Sequence, residues 1–252
     1  MTIGNQPIVL DNLIHNYDFS DYTSGATITN MINSTQTAAL DNSPTHNKLG
    51  YVELDGTNDS LEITPTDIGL GDGGPIDTLE MGFRIPTGTS NELVLLTTNT
   101  GEVDLSTSNH NFIIFRNSDG KLVFKTRVTS SHTQAHDSTS TSDVDNNVWY
   151  HMSIRISNDT DYVPHSNEAL QAHINLNNVN FINKSGMYGG VSGPYRFLGG
   201  NNNIILGASA PSTASRTTYP LEIAYFRAYT VKQTDAQRTQ NYNHHAGRFG
   251  AY

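Results

Sequence analysis

The feature that most limits what this chain can become is a succession of short period-two runs, broken by Gly, Pro, Asn and Asp, with no helical period until near its end. In the clearest, Leu79, Met81, Phe83 and Ile85 are apolar at alternate positions and Pro86 and Gly88 stop the run. Alternation puts those side chains on one face of a strand. Val52 and Leu54 repeat the pattern before Asp55-Gly56-Thr57-Asn58-Asp59, and Leu61 and Ile63 repeat it after. The intervening residues tolerate positive φ, so Tyr51 to Thr64 is expected to form a hairpin with one buried face. Such a hairpin is too small to stand alone and needs a second apolar sheet to cover it.

Further strands are expected over Ile8–Leu13, around Tyr17 and Phe19, and over Glu92–Thr98, Asn111–Arg116, Trp149–Ile156, Ile204–Leu206 and Pro220–Tyr229. Asn117-Ser118-Asp119-Gly120 reads as a hairpin turn into Leu122–Val128, and Asn177-Asn178 as the turn of a hairpin within Leu170–Ile182. Ala26–Leu40 is weakly patterned. Thr129–Asn147, almost wholly Ser, Thr, Asp, Asn and His, and Gly186–Asn203, rich in Gly, read as long loops. Thr234-Asp235-Ala236-Gln237 fits a capping box that opens a helix running to about His245 and ending at Gly247. Strands without helices between them cannot build βαβ units. The expected fold is all-β, an antiparallel sandwich with one short C-terminal helix, as a single domain over residues 1–252 with its core at about 8–250.

Hydrophobic residues make up 35% of the 252 and charged residues only 15%, the composition of a turn-rich β protein rather than a disordered one. A formal net charge of -10 argues against nucleic acid, whose phosphates are bound by displacing counterions with Lys and Arg. With no cysteine there are no disulfides and no cysteine-based zinc sites. The first residues lack a basic region followed by an apolar run, so no signal peptide is expected. No segment approaches the ~18 apolar residues of a membrane span, so no membrane insertion is expected.

Tyr17-Asp18-Phe19-Ser20, Leu54-Asp55-Gly56-Thr57-Asn58-Asp59, Phe83-Arg84-Ile85-Pro86, Asp119-Gly120-Lys121-Leu122, Trp149-Tyr150-His151, Ile174-Asn175-Leu176-Asn177, Ile205-Leu206-Gly207 and Ile223-Ala224-Tyr225-Phe226-Arg227-Ala228-Tyr229 follow one another in this order. Together they resemble the laminin-G-like branch of the concanavalin A-like lectin and glucanase superfamily. That resemblance implies a jelly-roll sandwich of two curved antiparallel sheets. Thr234 to Gly250, with Gln240-Asn241-Tyr242-Asn243 and Arg248-Phe249-Gly250, resembles the tail of lectin-like modules in structural proteins of phages and large aquatic viruses. This implies a capsid- or tail-associated virion component, assembled in a host cytoplasm, with other virion proteins or its own copies as partners.

Glucanases of that superfamily carry Glu-x-Asp-x-x-Glu, which sets nucleophile, helper and acid on one strand face. Glu53-Leu54-Asp55 begins the pattern, but Asn58 stands in its sixth place, and Glu102-Val103-Asp104 is followed by Thr107 there. Gly189-Gly190-Val191-Ser192-Gly193 fits a nucleophile elbow only loosely. His132 and His136, four apart beside Asp137, have a spacing that suits a metal on a helix but lie in a tract without helical period. His244-His245 is expected to meet the helix C-terminal dipole. The chain is therefore expected to be no enzyme.

For calcium, the resemblance points to Asp18 and to Glu222, where Asp is more usual. The competing reading has Asp18 and Asp21 capping a turn and Glu222 in solvent. Glycan binding needs an aromatic face and planar polar groups, which Tyr188, Tyr195 and Asn201, Asn202 and Asn203 could supply. The same tyrosines could equally pack their own loop or meet a neighbouring protein. The expectation is a lectin-like structural or adhesive protein of a virion that contacts protein partners and cell-surface glycan. The alternatives are a carbohydrate-binding module of a cellular or secreted protein and an atypical glycoside hydrolase or lyase.

Overall fold

The computed structural model describes residues 7–64, 76–89, 92–98, 111–127, 136–157, 170–187, 203–209 and 217–249. In chain order the strands are β1 (Leu13–Asp18), β2 (Thr27–Thr29), β3 (Thr37–Asp41), β4 (Thr45–Asn47), β5 (Tyr51–Asp55), β6 (Ser60–Ile63), β7 (Thr78–Arg84) and β8 (Leu93–Thr97). They continue as β9 (Asn111–Arg116), β10 (Lys121–Arg127), β11 (His136–Asp143), β12 (Trp149–Ser157), β13 (Leu170–Leu176), β14 (Val179–Met187), β15 (Ile204–Leu206) and β16 (Pro220–Tyr229), followed by helix α1 (Asp235–Phe249). One antiparallel sheet, the first, runs β14-β13-β12-β7-β16-β5-β4 with β1 also on β16, and the second runs β11-β10-β9-β8-β15-β6-β3-β2. The fold is the expected all-β jelly-roll sandwich with a C-terminal helix.

Leu79, Met81 and Phe83 of β7 lie in the core between the sheets, with Met152 and Ile154 of β12, Ile223 and Phe226 of β16, and Phe112, Ile114, Leu122 and Phe124 of the second sheet. Every residue of β7 except Arg84 is nevertheless buried. Its Glu80 and Gly82 therefore sit under a second cover on the outer face, which α1 provides.

Tyr51–Thr64 departs from the expected hairpin. β5 pairs with β4 and β16 in the first sheet, whereas β6 pairs with β3 and β15 in the second. Asp55 to Asp59 is thus an arch from one sheet to the other. Val52, Leu54, Leu61 and Ile63 are all buried in the shared core as expected, but as contributions of two different layers. A turn between two alternating runs reads the same in sequence whether the chain folds back beside itself or steps across the core. Asp55 serves the arch by accepting the Thr57 N–H at 2.7 Å, and Asp59 accepts the Asp55 N–H at 3.1 Å.

The two shorter turns are hairpins as expected: β9 and β10 join at Gly120, with φ 80°, and β13 and β14 join through Asn177 and Asn178, both at positive φ. The tract expected as one loop over Thr129–Asn147 holds β11, an edge strand on β10. Its Ser140 side chain accepts the Leu122 N–H at 3.0 Å, so hydroxyls take part in a ladder that composition assigned to loop. Weakly patterned Ala26–Leu40 holds β2 and β3. Asn30 closes the free edge of β1, accepting the Asn16 N–H and donating to the Ile14 carbonyl, both at 3.0 Å.

The capping box forms: the Gln237 N–H donates to Thr234 Oγ1 at 3.2 Å and the Thr234 N–H to Gln237 Oε1 at 2.9 Å. The helix passes through Gly247 to Phe249 instead of ending there. Its last turn is held by Arg248, which reaches Asp18 at 2.8 Å, and by Phe249, which stacks on Trp149 at 4.2 Å. Those tertiary contacts outweigh the weak helix preference of glycine.

Gly56, at φ 76°, has no room for a side chain, since a Cβ there would lie 2.6 Å from Pro220 Cδ and 2.7 Å from its backbone nitrogen. Gly88, at φ 87°, has nothing within 4 Å of the same point. In urea unfolding, Gly88→Ala is expected to lose about 1 kcal/mol from backbone strain alone, and Gly56→Ala a further 1–3 kcal/mol from the clash.

Candidate functional site

The outer face of the first sheet carries a polar cluster sealed beneath α1. β16 pairs with β7 along its length, and a register shift between Ile223 and Tyr225 turns both Ala224 and Tyr225 outward. In this register Glu80 lies opposite Arg227, and Gly82 lies opposite Tyr225 on one side and His151 on the other. The missing side chain of Gly82 makes the next contact possible. A Cβ there would lie 2.4 Å from the Tyr225 ring. Across this gap the Tyr225 hydroxyl meets His151 Nδ1 at 2.6 Å.

Burial pushes the Tyr225 phenol well above its ordinary range, so it keeps its proton and donates to Nδ1. The His151 proton then sits on Nε2, which faces Glu80 Oε1 at 3.7 Å. Arg227, 1% exposed, lies over the Tyr225 ring at 3.9 Å and 3.9 Å from Glu80 Oε2, and its Nε donates to Asn16 Oδ1 at 3.1 Å. From α1, Asn241 Nδ2 donates to both Glu80 oxygens at 2.9 Å while its Oδ1 accepts the Val9 N–H at 2.8 Å. His245, one helical turn further on the same face, packs at 5.9 Å from the His151 ring.

Burial raises Glu80 to about 7, against the lowering pull of Arg227 and the Asn241 and Tyr229 hydrogen bonds. Burial also holds His151 well below its ordinary value, reinforced by His245 and Arg227, and takes His245 down to about 3, reinforced by Arg227 and Arg248. The tyrosine and the imidazole are hydrogen-bonded, but at 3.7 Å the imidazole Nε2 and the carboxylate are not, so the three do not form a continuous proton path. With Glu80 and His151 fully buried, the closed arrangement holds α1 rather than a substrate.

Asp18 and Glu222, the carboxylates expected to bind calcium, each face arginine. Asp18 accepts from Arg248 at 2.8 Å and from the Ser20 N–H at 2.9 Å, with Arg227 at 3.6 Å. Burial pushes its carboxyl up, but Arg248, the Ser20 N–H and Arg227 outweigh that and hold it below its ordinary value. Glu222 pairs with Arg84, which lies over the rings of Tyr51 and Trp149. Calcium takes six to eight oxygens, and two carboxylates already neutralised by separate guanidinium groups do not fit it. Among the described residues no cluster of three His, Asp or Glu side chains could hold a metal. Tyr188, Tyr195, Asn201, Asn202, His132, Glu102 and Asp104 lie outside the described residues. His136 begins β11 instead of lying in a loop.

Sequence reasoning missed Glu80, His151, Arg227 and Asn241, and gave His245 a role at the helix dipole. A signal existed: Glu80, His151 and Arg227 are the polar members of the most apolar runs. Alternation assigns such positions to solvent unless the cover over that face is known.

The sequence matches no protein-family profile and no curated protein sequence. Its fold is similar to that of a Trypanosoma rangeli sialidase in complex with sialic acid, with TM-score 0.65, 9% identity, and 94% of this chain covering 33% of that one. It is also similar to the binding domain of botulinum neurotoxin DC in complex with rat synaptotagmin II, with TM-score 0.60, 11% identity, and 92% of this chain covering 51% of that one. The chain thus spans a third of the sialidase chains and about half of the toxin domain, and the likeness is one of fold. It corrects one expectation. Sialidases are glycoside hydrolases, so the exclusion of enzyme activity does not stand. The missing Glu-x-Asp-x-x-Glu tested only one arrangement of carboxylates.

Replacing Arg227 by Ala leaves Glu80 buried without its guanidinium, and equilibrium unfolding is expected to show a loss of about 3–5 kcal/mol. A chelator is expected to leave Tm unchanged, because a group that does not bind the folded state cannot stabilise it.

Proposed function

We propose that the chain is a lectin-like recognition module that makes adhesive or structural contacts, of the kind carried on a virus particle. The observation that carries this reading is the unequal use of the two sheets. α1 closes the outer face of the first sheet over Glu80, His151 and Arg227, which leaves recognition to the rim loops and the second sheet. The fold likeness to toxin binding domains supports a binding role. The virion setting takes its support from the resemblance of Thr234 to Gly250, the α1 segment, to virus structural modules.

Protein contact has a candidate surface. Met31 and Ile32, 58% and 47% exposed, lie on the turn between β2 and β3 beside the β1 edge. Isolated exposed apolar side chains are ordinary, but adjacent ones beside a strand edge suit a protein neighbour. Glycan contact is assigned to Tyr188, Tyr195, Asn201 and Asn202. Glycoside hydrolysis is a second reading, supported by the sialidase neighbours, and turnover of sialosides by the full chain is the measurement that decides it.

Binding to immobilised glycans, sialosides included, is expected to fall about tenfold or more in Tyr188→Ala or Tyr195→Ala, the loss of ~1.4 kcal/mol of stacking. Self-association measured by sedimentation is expected to weaken in a Met31→Ser/Ile32→Ser double variant. A chain that binds no glycan and associates with neither itself nor a particle protein would remove the reading.

A further inference from the structure

We propose that α1 is an acid-released latch: neutral His151 and His245 let it close on the first sheet, and protonation of that pair frees the helix while the two sheets stay folded.

The attachment of α1 is suited to local release. Its buried residues are Asn241, His245 and Ala246, so little apolar surface holds it. Polar contacts carry the rest: Asn241 to Glu80, Arg155 to Asp235 at 2.7 Å, Arg238 Nε to Asn178 at 2.9 Å, and Arg248 to Asp18. The helix pairs with no strand and follows the last one, so it can leave without breaking a ladder. Segments with few buried apolar contacts open at lower cost than the whole domain unfolds.

The histidine pair cannot accept protons in place. His151 and His245 are 0% and 1% exposed, and His151 Nε2 and both His245 nitrogens have no hydrogen-bond partner among the described residues. A protonated imidazole donates from both nitrogens and needs two acceptors. Arg227 of β16 faces the pair, with Arg238, His244 and Arg248 from α1 adding like charge. Tyr225 and Tyr229 of β16 keep their protons and stay neutral. The carboxylates on this face are Glu80 of β7, Asp18 of β1 and Glu222 of β16, the last paired with Arg84, and α1 adds Asp235, paired with Arg155. Glu80 itself becomes neutral below about 7, so it offers no counter-charge where histidine titrates.

The signs work out as follows for opening. Release returns both histidines towards their ordinary ~6.5, so opening takes up two protons below that value. Glu80 opposes this, since it holds a proton in the closed form from about 7 downward and gives it up on release until its ordinary value near 4.5. The net uptake is about one proton between roughly pH 6.5 and 4.5, a tenfold rise in the open fraction per pH unit, and about two below that. Asp18, held low by Arg248, and Asp235, held low by Arg155, add only below their ordinary 3.8. Opening bares Trp149, Tyr225, Arg227 and Glu80, an aromatic and charged face absent from the closed form.

Trp149 is the chain's one tryptophan and stacks on Phe249 of α1 at 4.2 Å, so its emission reads docking directly. The full chain is titrated from about pH 7.5 to about pH 4 while Trp149 emission, far-ultraviolet circular dichroism and amide-exchange protection are followed. Expected are a shift in Trp149 emission and a fall of roughly 100-fold in α1 protection factors between pH 6.5 and 4.5, with sheet protection retained. His245→Gln is expected to flatten that dependence. Glu80→Gln is expected to steepen it to about 100-fold per pH unit, and it decides the matter if His245→Gln does not dock at neutral pH. Constant α1 protection, loss of helix and sheet protection together, or an unchanged slope in the variant that docks would overturn the latch.

Discussion

The burial of one guanidinium fixes much of the first sheet's outer side. Arg227 lies between Glu80 on β7 and Asp18 on β1, touches Asn16, and covers the Tyr225 ring. A buried charge needs partners on every side, and these come from strands that flank β16. The requirement specifies which strands neighbour β16 and in what register more sharply than the interchangeable apolar side chains of the core can. It also requires a cover, because without α1 the same groups would meet water and lose the low-dielectric setting that couples them.

The price of that cover is chemistry kept out of reach. Tyr225, His151 and Glu80 gather over a glycine, yet they face a helix rather than solvent. A concave sandwich sheet with polar side chains could be a ligand surface. Here one such face is spent on holding the C-terminal segment, and the sheet's carboxylates at Asp18 and Glu222 are neutralised by arginine instead of being presented to a metal.

The legible parts of the sequence were those set by local physics. The alternation of Leu79, Met81 and Phe83, the turn residues at Asn177 and Asn178, and the Thr234 to Gln237 capping box all do what their spacing implies. Strand β11 was not legible, because its hydroxyl side chains suit a loop and an edge strand equally and only β10 selects between them. The buried cluster was not legible for a related reason: an isolated Glu, His or Arg in an alternating run looks solvent-facing until the opposite cover is known.

The sequence by itself determined that the chain is an antiparallel β sandwich closed by a C-terminal helix, since period, turn chemistry and capping act over a few residues. The tertiary structure decided which runs are neighbours. It sent Tyr51–Asp55 and Ser60–Ile63 to different sheets and brought Glu80, His151, Arg227 and His245 under one roof. Pairing and burial depend on contacts between residues far apart in the chain, and a one-dimensional pattern carries the direction of a side chain but not what it will meet.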